Sequence, residues 1–242
     1  MALAPATADR IARNWAERLG CSPDAFQEPG VTIADPGASE SVRLFRRADS
    51  LVVAAPTRVR DALAGSRALL RDVDPPATAV VERAVAVVGE TVEATHGPYV
   101  LGYVDEPSFS PAESDARLLV GAEEPAFERL RQRVPPDEWA RASPVFRPGR
   151  TAGLFVDEDL VAVSTLTHAP FPDVGVVVAP EARGQGHGRA VVSKITTTAF
   201  DADPTVIVRY RTRETTPGSV AIAESLGYEY WATSAVHVLA GE

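Results

Sequence analysis

A run of apolar residues, followed by three glycines and a long helix, leaves this chain few possible folds. The apolar run is Val174–Val178, the glycines are Gly184, Gly186 and Gly188, and the helical pattern extends to about Phe200. Glycine lets the backbone turn with positive φ and approach another group without a Cβ in the way. The first N–H groups of the following helix lack partners within the helix, and the helix dipole favours negative charge there. The segment therefore predicts a strand, a tight turn and a helix that together bind an anion.

The spacing of these glycines argues against two common nucleotide-binding turns. A dinucleotide fingerprint requires Gly-x-Gly-x-x-Gly, but counting from Gly184 puts Arg189 at the third glycine, and counting from Gly186 puts Val191 there. A P-loop requires Gly-Lys followed by Ser or Thr, and that pattern is missing from this segment. A nucleotide-dependent oxidoreductase is therefore disfavoured.

A third kind of turn does have the observed spacing. The pattern Arg183-x-x-Gly186-x-Gly188, preceded by Val178-x-Pro180, resembles the acetyl-CoA pyrophosphate loop of the GNAT superfamily of N-acetyltransferases. The resemblance implies that acetyl-CoA is a co-substrate and that this turn binds its pyrophosphate group.

A second segment typical of this family lies further along the chain. Residues Pro217 to Tyr228 resemble the family's later helix, which ends in Leu-Gly and an aromatic residue. The elements predicted for the second half of the chain also follow the family's order: strand, two helices, three strands, turn and helix, strand, helix and two strands. The last two strands are predicted at Tyr228–Trp231 and Thr233–Leu239.

The resemblance implies an α/β fold of the α+β type, with a mixed, largely antiparallel sheet flanked by helices, over residues 116–242. Residues 105–115 are rich in turn-forming and charged residues and predict a linker. Apolar runs and amphipathic stretches in residues 1–104 predict a smaller α/β domain of unassigned role. A degenerate GNAT-like half is the alternative for that domain, and it requires a splayed pair of strands within residues 1–104.

The resemblance also implies which residues bind acetyl-CoA. The strand over residues 174–178 would line the pantetheine arm, and a bulge would separate it from a strand predicted at Thr205–Tyr210. A backbone N–H near Val176 would polarise the thioester carbonyl. The implied binding residues are Val176, Val177, Val178, Arg183, Gly184, Gln185, Gly186, His187, Gly188, Arg189, Thr216 and Ser219.

The implied reaction is acetyl transfer to an amine, on a small molecule or a peptide, by direct attack of the amine in a ternary complex. Two positions depart from the family. Thr216 stands where many members have Asn, and Ala223 stands where many have a Tyr that protonates the departing thiolate. Because alanine cannot supply that proton, a non-catalytic acyl-CoA-binding sensor remains the alternative function.

Three residues are candidates for the base that deprotonates the amine. Asp173 opens the strand that would face the thioester, and Glu138 lies on a short helix that borders the acceptor site in this family. His168 lies in the loop before the strand and has a side chain that titrates near neutral pH. For each of them, an exposed residue without a catalytic role is the alternative.

Three arginines alternate along one predicted strand, so their side chains share one face. They are Arg209, Arg211 and Arg213. The face is predicted either to bind an acidic acceptor or a CoA phosphate, or to be an exposed face held in salt bridges.

Composition sets the expected partners and location. The 242 residues carry a formal charge of −9, from 33 acidic and 24 basic residues, so nucleic acid is disfavoured as a partner. No apolar run approaches ~18 residues, and a single cysteine, Cys21, allows neither an internal disulfide nor a multi-cysteine metal site. The first residues lack a signal-peptide pattern. We therefore expect a cytoplasmic monomer or homodimer with no membrane segment and no bound metal.

Overall fold

The computed structural model describes residues 3–167 and 170–240, in which helices and strands alternate. The elements are α1 Pro5–Leu19, β1 Gly30–Ala34, β2 Ser41–Arg47, β3 Ser50–Ala54, α2 Thr57–Gly65, α3 Arg67–Arg71, α4 Thr78–Ala86, β4 Val92–Val104, β5 Arg117–Leu118, α5 Glu124–Arg133, α6 Pro136–Ala142, β6 Thr151–Val156, β7 Asp159–Leu166, β8 Val174–Val178, α7 His187–Ala202, β9 Val208–Thr212, α8 Pro217–Ser225 and β10 Glu229–Leu239.

These elements form two compact units. The division between the units does not fall at the linker that the sequence predicts between residues 104 and 116. The central unit comprises residues 102–229 together with Leu3, and the flanking unit comprises residues 4–101 together with residues 230–240. Strands β4 and β10 each begin in one unit and end in the other.

The flanking unit is built on a sheet in which the strand order is β1-β3-β2-β10-β4. β1 runs parallel to β3, and β2 runs antiparallel to both β3 and β10. Its first helix forms because Ile11, Trp15 and Leu19 recur at helical spacing and are buried on one face. The helix ends at Gly20, which adopts the left-handed conformation with φ 72°. Trp15 then packs against Phe45 of β2, with ring centroids 4.5 Å apart.

The central unit contains the antiparallel sheet β5-β6-β7-β8 and the separate strand β9, whose neighbour is β4. One core cluster fills the space between this sheet and helices α5 and α7, and it includes Leu130, Leu154, Val163, Val191 and Ile195. A second cluster lies around β9, α7 and α8, and it includes Val104, Phe200, Tyr210, Leu226 and Tyr228. This mixed, largely antiparallel arrangement flanked by helices is the fold class that the sequence predicts.

Residues 105–115, predicted as a linker, pack within the central unit instead. The Phe109 ring lies 5.4 Å from the Phe200 ring, and the Ser110 N–H donates a hydrogen bond to the Leu226 carbonyl. The Ala112 N–H donates to Ser193 Oγ at 2.8 Å. The many prolines and serines do produce irregular backbone here, but composition alone did not reveal these tertiary contacts.

In place of the two last strands predicted at Tyr228–Trp231 and Thr233–Leu239, the structure has the single strand β10. Ala232, the one residue between the two predicted strands, is fully buried, and even the tightest hairpins need two loop residues. β10 pairs with β2, from Thr233 opposite Arg46 to Val238 opposite Ser41. Residues 230–240 therefore belong with the flanking unit and not with a domain of residues 116–242.

Two of the strand pairs in residues 1–104 do not show the splaying that a degenerate GNAT-like half requires. β1 and β3 are paired along their whole length, from Gly30 opposite Ser50 to Ala34 opposite Ala54. β2 and β3 are likewise paired over five residues. The fourth described strand of this part of the chain, β4, is separated from β2 by β10, so the degenerate GNAT-like half stays a prediction. No described helix combines the length and apolar composition needed to cross a bilayer.

Candidate functional site

Strands β8 and β9 touch at one point and then separate. Asp173, just before β8, forms an isolated parallel bridge with Arg209 of β9, and the Arg209 N–H donates to the Pro172 carbonyl at 2.8 Å. Beyond that point β8 continues in the sheet with β7, whereas β9 lies beside β4. The two strands therefore diverge from Asp173 onward, and we refer to the space between them as the cleft, with its narrow end at Asp173.

The edge of β8 that faces this cleft carries backbone groups that do not pair with β7. The Thr167 N–H bonds to the Asp173 carbonyl, and the Ala179 N–H bonds to the Val161 carbonyl. In an antiparallel pair such hydrogen-bonded positions alternate with positions whose backbone groups point to the opposite side. The register thus directs the N–H and C=O groups of three residues away from β7: Val174, Val176 and Val178.

A nearly buried ion pair closes the narrow end of the cleft. Arg209 contacts both oxygens of Asp173, through Nε and Nη2 at 3.1 Å each, and Arg211 Nε lies 3.5 Å from the same carboxylate. The side chains of Asp173 and Arg209 are only 10% and 13% exposed, respectively. Burial alone lowers the pKa of Arg209, but the charge and hydrogen bonds of Asp173, with a smaller contribution from Tyr103, outweigh it and raise that pKa. Arg209 and Arg211 are therefore both ion-paired, as the second alternative for the arginine face predicts, but Arg209 is nearly buried and not exposed.

The glycine turn lies between β8 and α7, as predicted. Gly184 and Gly186 have φ of 76° and 83°, and a Cβ at either position would meet no atom within 4 Å. Gly186 is the N-cap of α7 and offers no capping side chain. The first helical hydrogen bond runs from the Ala190 N–H to the Gly186 carbonyl. The backbone N–H groups without a partner inside the helix are those of His187, Gly188 and Arg189.

The start of α7 is held closely against its neighbours. A Cβ on Gly188 would lie 2.7 Å from Ile222 Cδ1 of α8 and 3.3 Å from Val178 Cγ2 of β8. The His187 Nδ1 donates to the Ala182 carbonyl at 3.1 Å, because a carbonyl oxygen can only accept. Arg189 is exposed on the same turn. The glycine turn therefore combines a tightly packed start of α7 with exposed hydrogen-bond donors.

Two predicted site residues on different elements contact each other directly. Arg183 Nη2 of the glycine turn lies 2.6 Å from Glu138 Oε2 of α6, and Arg183 Nε donates to the Val178 carbonyl at 3.3 Å. Helix α6 reaches this position because it lies against β8 at Gly175, where an added Cβ would overlap the Ala142 carbonyl oxygen. Sequence analysis did not identify Gly175 as a contact residue. The available signal was that this glycine interrupts a strand made otherwise of valines.

The N-terminal end of α8 contributes hydroxyl groups to the same region. Thr216 occupies the N-cap without a side-chain capping bond, and Ser219 Oγ lies 3.0 Å from Tyr210 Oη of β9. Burial raises the pKa of Tyr210 to about 12, so this phenol is neutral over the physiological pH range. Ala223 is buried in the core cluster around β9. Tyr210 was not predicted as a site residue, since a tyrosine in an apolar strand is usually a core residue.

The remaining candidates add little further geometry. His168 lies outside the described residues. Asp173, the candidate base just before β8, has both carboxylate oxygens bound to arginine. Within residues 3–167 and 170–240, no group of three or more His, Cys, Asp or Glu side chains is placed to hold a metal ion.

Comparison with known proteins adds a likeness of fold. No protein-family model and no curated protein matches the sequence. Among solved structures, a GCN5-related N-acetyltransferase from Kribbella flavida aligns with a TM-score of 0.52 and 20% identity, over 100% of this chain and 98% of its own. An acetyltransferase of the GNAT family from Colwellia psychrerythraea aligns with a TM-score of 0.46 and 14% identity, over 60% of this chain and 57% of its own. A GCN5-related N-acetyltransferase-like protein from Streptococcus suis gives a TM-score of 0.41 and 14% identity, over 94% and 98%.

Proposed function

We propose that this chain, whose fold is that of the GNAT superfamily, is an acetyl-CoA-dependent N-acetyltransferase acting on an amine. The observation that carries the proposal is the separation of β8 from β9 beyond Asp173, which leaves a strand edge open next to an anion-binding turn. An open edge and a basic, glycine-lined turn suit a ligand that is an extended amide chain joined to a diphosphate.

The residues present fit acetyl-CoA at both ends of this cleft. The first-turn N–H groups of α7 would bind the diphosphate, with Arg183 and Arg189 as the nearby cations. The glycines at 184 and 186 leave the approach free, since a Cβ there would otherwise project from the turn. The remaining edge groups of β8, which include the Val176 carbonyl and the Val178 N–H, would pair with the amides of the pantetheine arm. Bound in this way, acetyl-CoA supplies an activated acetyl thioester.

The chain's own contribution is mostly positioning. Holding an amine and a thioester together accounts for up to ~7–11 kcal/mol of a reaction barrier. The Val176 N–H, which points away from β7, is placed to donate to an oxygen that gains negative charge. Of the two candidate bases that the structure describes, Glu138 is the more accessible, at 35% exposure against 10% for Asp173. A base contributes ~10²–10⁴-fold to rate, so Glu138 would be important but not indispensable.

A calorimetric titration with acetyl-CoA tests the binding half of this proposal. Gly186→Glu puts a negative side chain into the turn, and we expect it to abolish binding. Gly149→Glu is the matched control, because Gly149 also has positive φ, at 71°, with no atom within 4 Å of an added Cβ. Thermal unfolding of both variants checks that each remains folded, and the titrations are repeated at low and high KCl.

The outcomes separate an enzyme from a sensor. Binding that only Gly186→Glu removes, together with CoA release that a panel of amines accelerates, supports the acetyltransferase. Binding without any amine-dependent release supports the acyl-CoA sensor, in line with the missing hydroxyl at Ala223. Failure of the folded wild-type protein to bind acetyl-CoA at either salt would refute both functions while leaving the fold unaffected.

A further inference from the structure

Arg183 has two possible anionic partners, and one of them is part of the protein. Its guanidinium lies on the turn whose backbone would bind the diphosphate, yet its Nη2 contacts the Glu138 carboxylate at 2.6 Å. A carboxylate and a phosphate oxygen compete for the same donors, because both prefer the planar N–H groups of arginine.

The contact with Glu138 is of a kind that exchanges readily. The Arg183 and Glu138 side chains are 46% and 35% exposed, and ion pairs of such exposure contribute little net stability. The second guanidinium contact, from Nε to the Val178 carbonyl, involves a neutral acceptor and keeps Arg183 beside β8. Arg183 could therefore change its anionic partner without leaving the turn.

The surrounding charges favour such an exchange. A second acidic side chain, Glu181, lies just before the glycine turn. It already binds Arg133 of α5, with Arg133 Nε at 2.8 Å from Glu181 Oε1. Glu138 is therefore the carboxylate that pairs with the arginine of the turn. A diphosphate on the first-turn N–H groups of α7 would attract Arg183 and so compete with Glu138 for it.

We propose that the Glu138 carboxylate holds Arg183 until the cofactor's diphosphate takes this arginine over, and that the released carboxylate then receives the cationic amine. The inference rests on the proposed function. It makes Glu138 a competitor of the cofactor and, after the exchange, a recognition residue for protonated amines. Acetyl-CoA and amine would therefore bind with positive coupling, and neutral or acidic acceptors would gain nothing from the exchange.

A double-mutant cycle on acetyl-CoA affinity tests the exchange without any need for turnover. We expect Glu138→Gln to tighten acetyl-CoA binding about threefold, because a competing partner is removed. Arg183→Gln should weaken binding by about tenfold. In the Arg183→Gln background, Glu138→Gln should change affinity by less than about 1.5-fold, since the competition no longer exists.

Asp137→Asn provides the matched control. Asp137 is the neighbouring acidic residue on α6, is 70% exposed and pairs with Arg141 instead of the turn. Its neutralisation removes the same charge from the same helix and should leave acetyl-CoA affinity unchanged. S-acetyl-dephospho-CoA, which keeps the diphosphate but lacks the 3′-phosphate, should show the same gain with Glu138→Gln as acetyl-CoA does.

Each other result overturns the exchange. Weaker or unchanged binding by Glu138→Gln would mean that Glu138 orients Arg183 for the cofactor or is indifferent to it. An equal gain in acetyl-CoA affinity for Asp137→Asn would show that the effect comes from removing any negative charge from α6 and not from releasing Arg183. A gain lost with S-acetyl-dephospho-CoA would assign Arg183 to the 3′-phosphate. If wild-type protein binds no acetyl-CoA at all, the proposed function fails first, and this result is distinct from all the others.

The amine half is tested with CoA, which carries the diphosphate and no acetyl group. For an amine that accelerates CoA release from acetyl-CoA, saturation with CoA should lower the amine's Kd in the wild type and in Asp137→Asn. The same saturation should leave the Kd unchanged in Glu138→Gln. Equal coupling in Glu138→Gln and wild type would show that the released carboxylate does not receive the amine.

Discussion

At the scale of single residues, His237 is a buried ionisable side chain whose environment fixes its tautomer. Its Nε2 lies 2.7 Å from the Pro76 carbonyl and must donate, so Nδ1 of the neutral ring accepts from Thr95 Oγ1 at 3.0 Å. The side chain is fully buried. Burial lowers the pKa of His237, although the Pro76 hydrogen bond and the charge of Glu82 act in the opposite direction.

This lowered pKa predicts a loss of stability at mildly acidic pH. The unfolded chain takes up a proton near pH ~6.5, whereas the folded protein resists it, so the contribution is complete above that pH and declines as the pH falls toward the folded-state value. Thermal unfolding of wild-type protein between pH 7.5 and 5 should show a falling midpoint, and His237→Gln should flatten the change. His96→Gln, at an exposed histidine, should follow the wild-type slope. Parallel slopes for wild type and His237→Gln would contradict the assignment.

The ion pair at the closed end of the cleft leads to a second prediction at this scale. Asp173→Asn leaves the Arg209 cation, 13% exposed, without its bidentate partner, and we expect a loss of about 3 kcal/mol in the free energy of unfolding. Adding Arg209→Gln should restore part of it, because no uncompensated charge remains. Glu128→Gln, which breaks an exposed pair with Arg131, should cost less than ~1 kcal/mol. Similar losses for Asp173→Asn and Glu128→Gln in urea unfolding would refute this account.

At the scale of elements, the contact of α6 with β8 depends on one glycine. A methyl group at Gly175 would overlap the Ala142 carbonyl oxygen, which belongs to backbone and cannot rotate away. We expect Gly175→Ala to lower the free energy of unfolding by ~1–3 kcal/mol. Gly218→Ala is the control, because Gly218 lies in α8 with no atom within 4 Å of its added Cβ, and helical propensity makes alanine neutral or stabilising there. An unchanged unfolding midpoint for Gly175→Ala would show that α6 does not approach β8 so closely.

The elements that the sequence predicts well are those whose determinants are local. The GNAT fold is confirmed, and the turn around Gly186 has the strand and helix on either side that its glycine spacing predicts. The assignment of individual residues to acetyl-CoA and to catalysis stays a prediction. Tyr210 and Gly175 escaped notice because their roles depend on Ser219 and Ala142, which lie elsewhere in the chain. Residues 105–115 were misassigned because turn-forming composition describes backbone shape and not tertiary packing.

At the scale of the whole molecule, the division into units predicts which fragments fold. Residues 102–229 contain β9, its neighbouring end of β4 and the packed segment 105–115, so we expect this fragment to be monodisperse and to unfold cooperatively. Residues 116–242 lack the Phe109 contact with Phe200 and carry β10 without its partner β2. An unpaired apolar strand promotes association, so this second fragment should aggregate.

Size-exclusion chromatography and thermal unfolding of the two fragments, side by side, check this prediction. A monodisperse 116–242 fragment with a cooperative transition would contradict it and would restore the boundary suggested by composition. A 102–229 fragment that aggregates would show that the central unit depends on residues outside it.

The position of β10 also determines when different parts of a newly made chain can fold. This strand lies between β2 and β4, but it is synthesised after all of residues 102–229. At translation rates of ~5–20 residues per second, β2 remains unpaired on its β10 side for on the order of ten seconds. The central unit, made later, therefore has all its strands first, while residues 4–101 remain exposed to chaperones and to wrong strand pairing. A strand that is synthesised late thus decides when a sheet synthesised earlier reaches its native state.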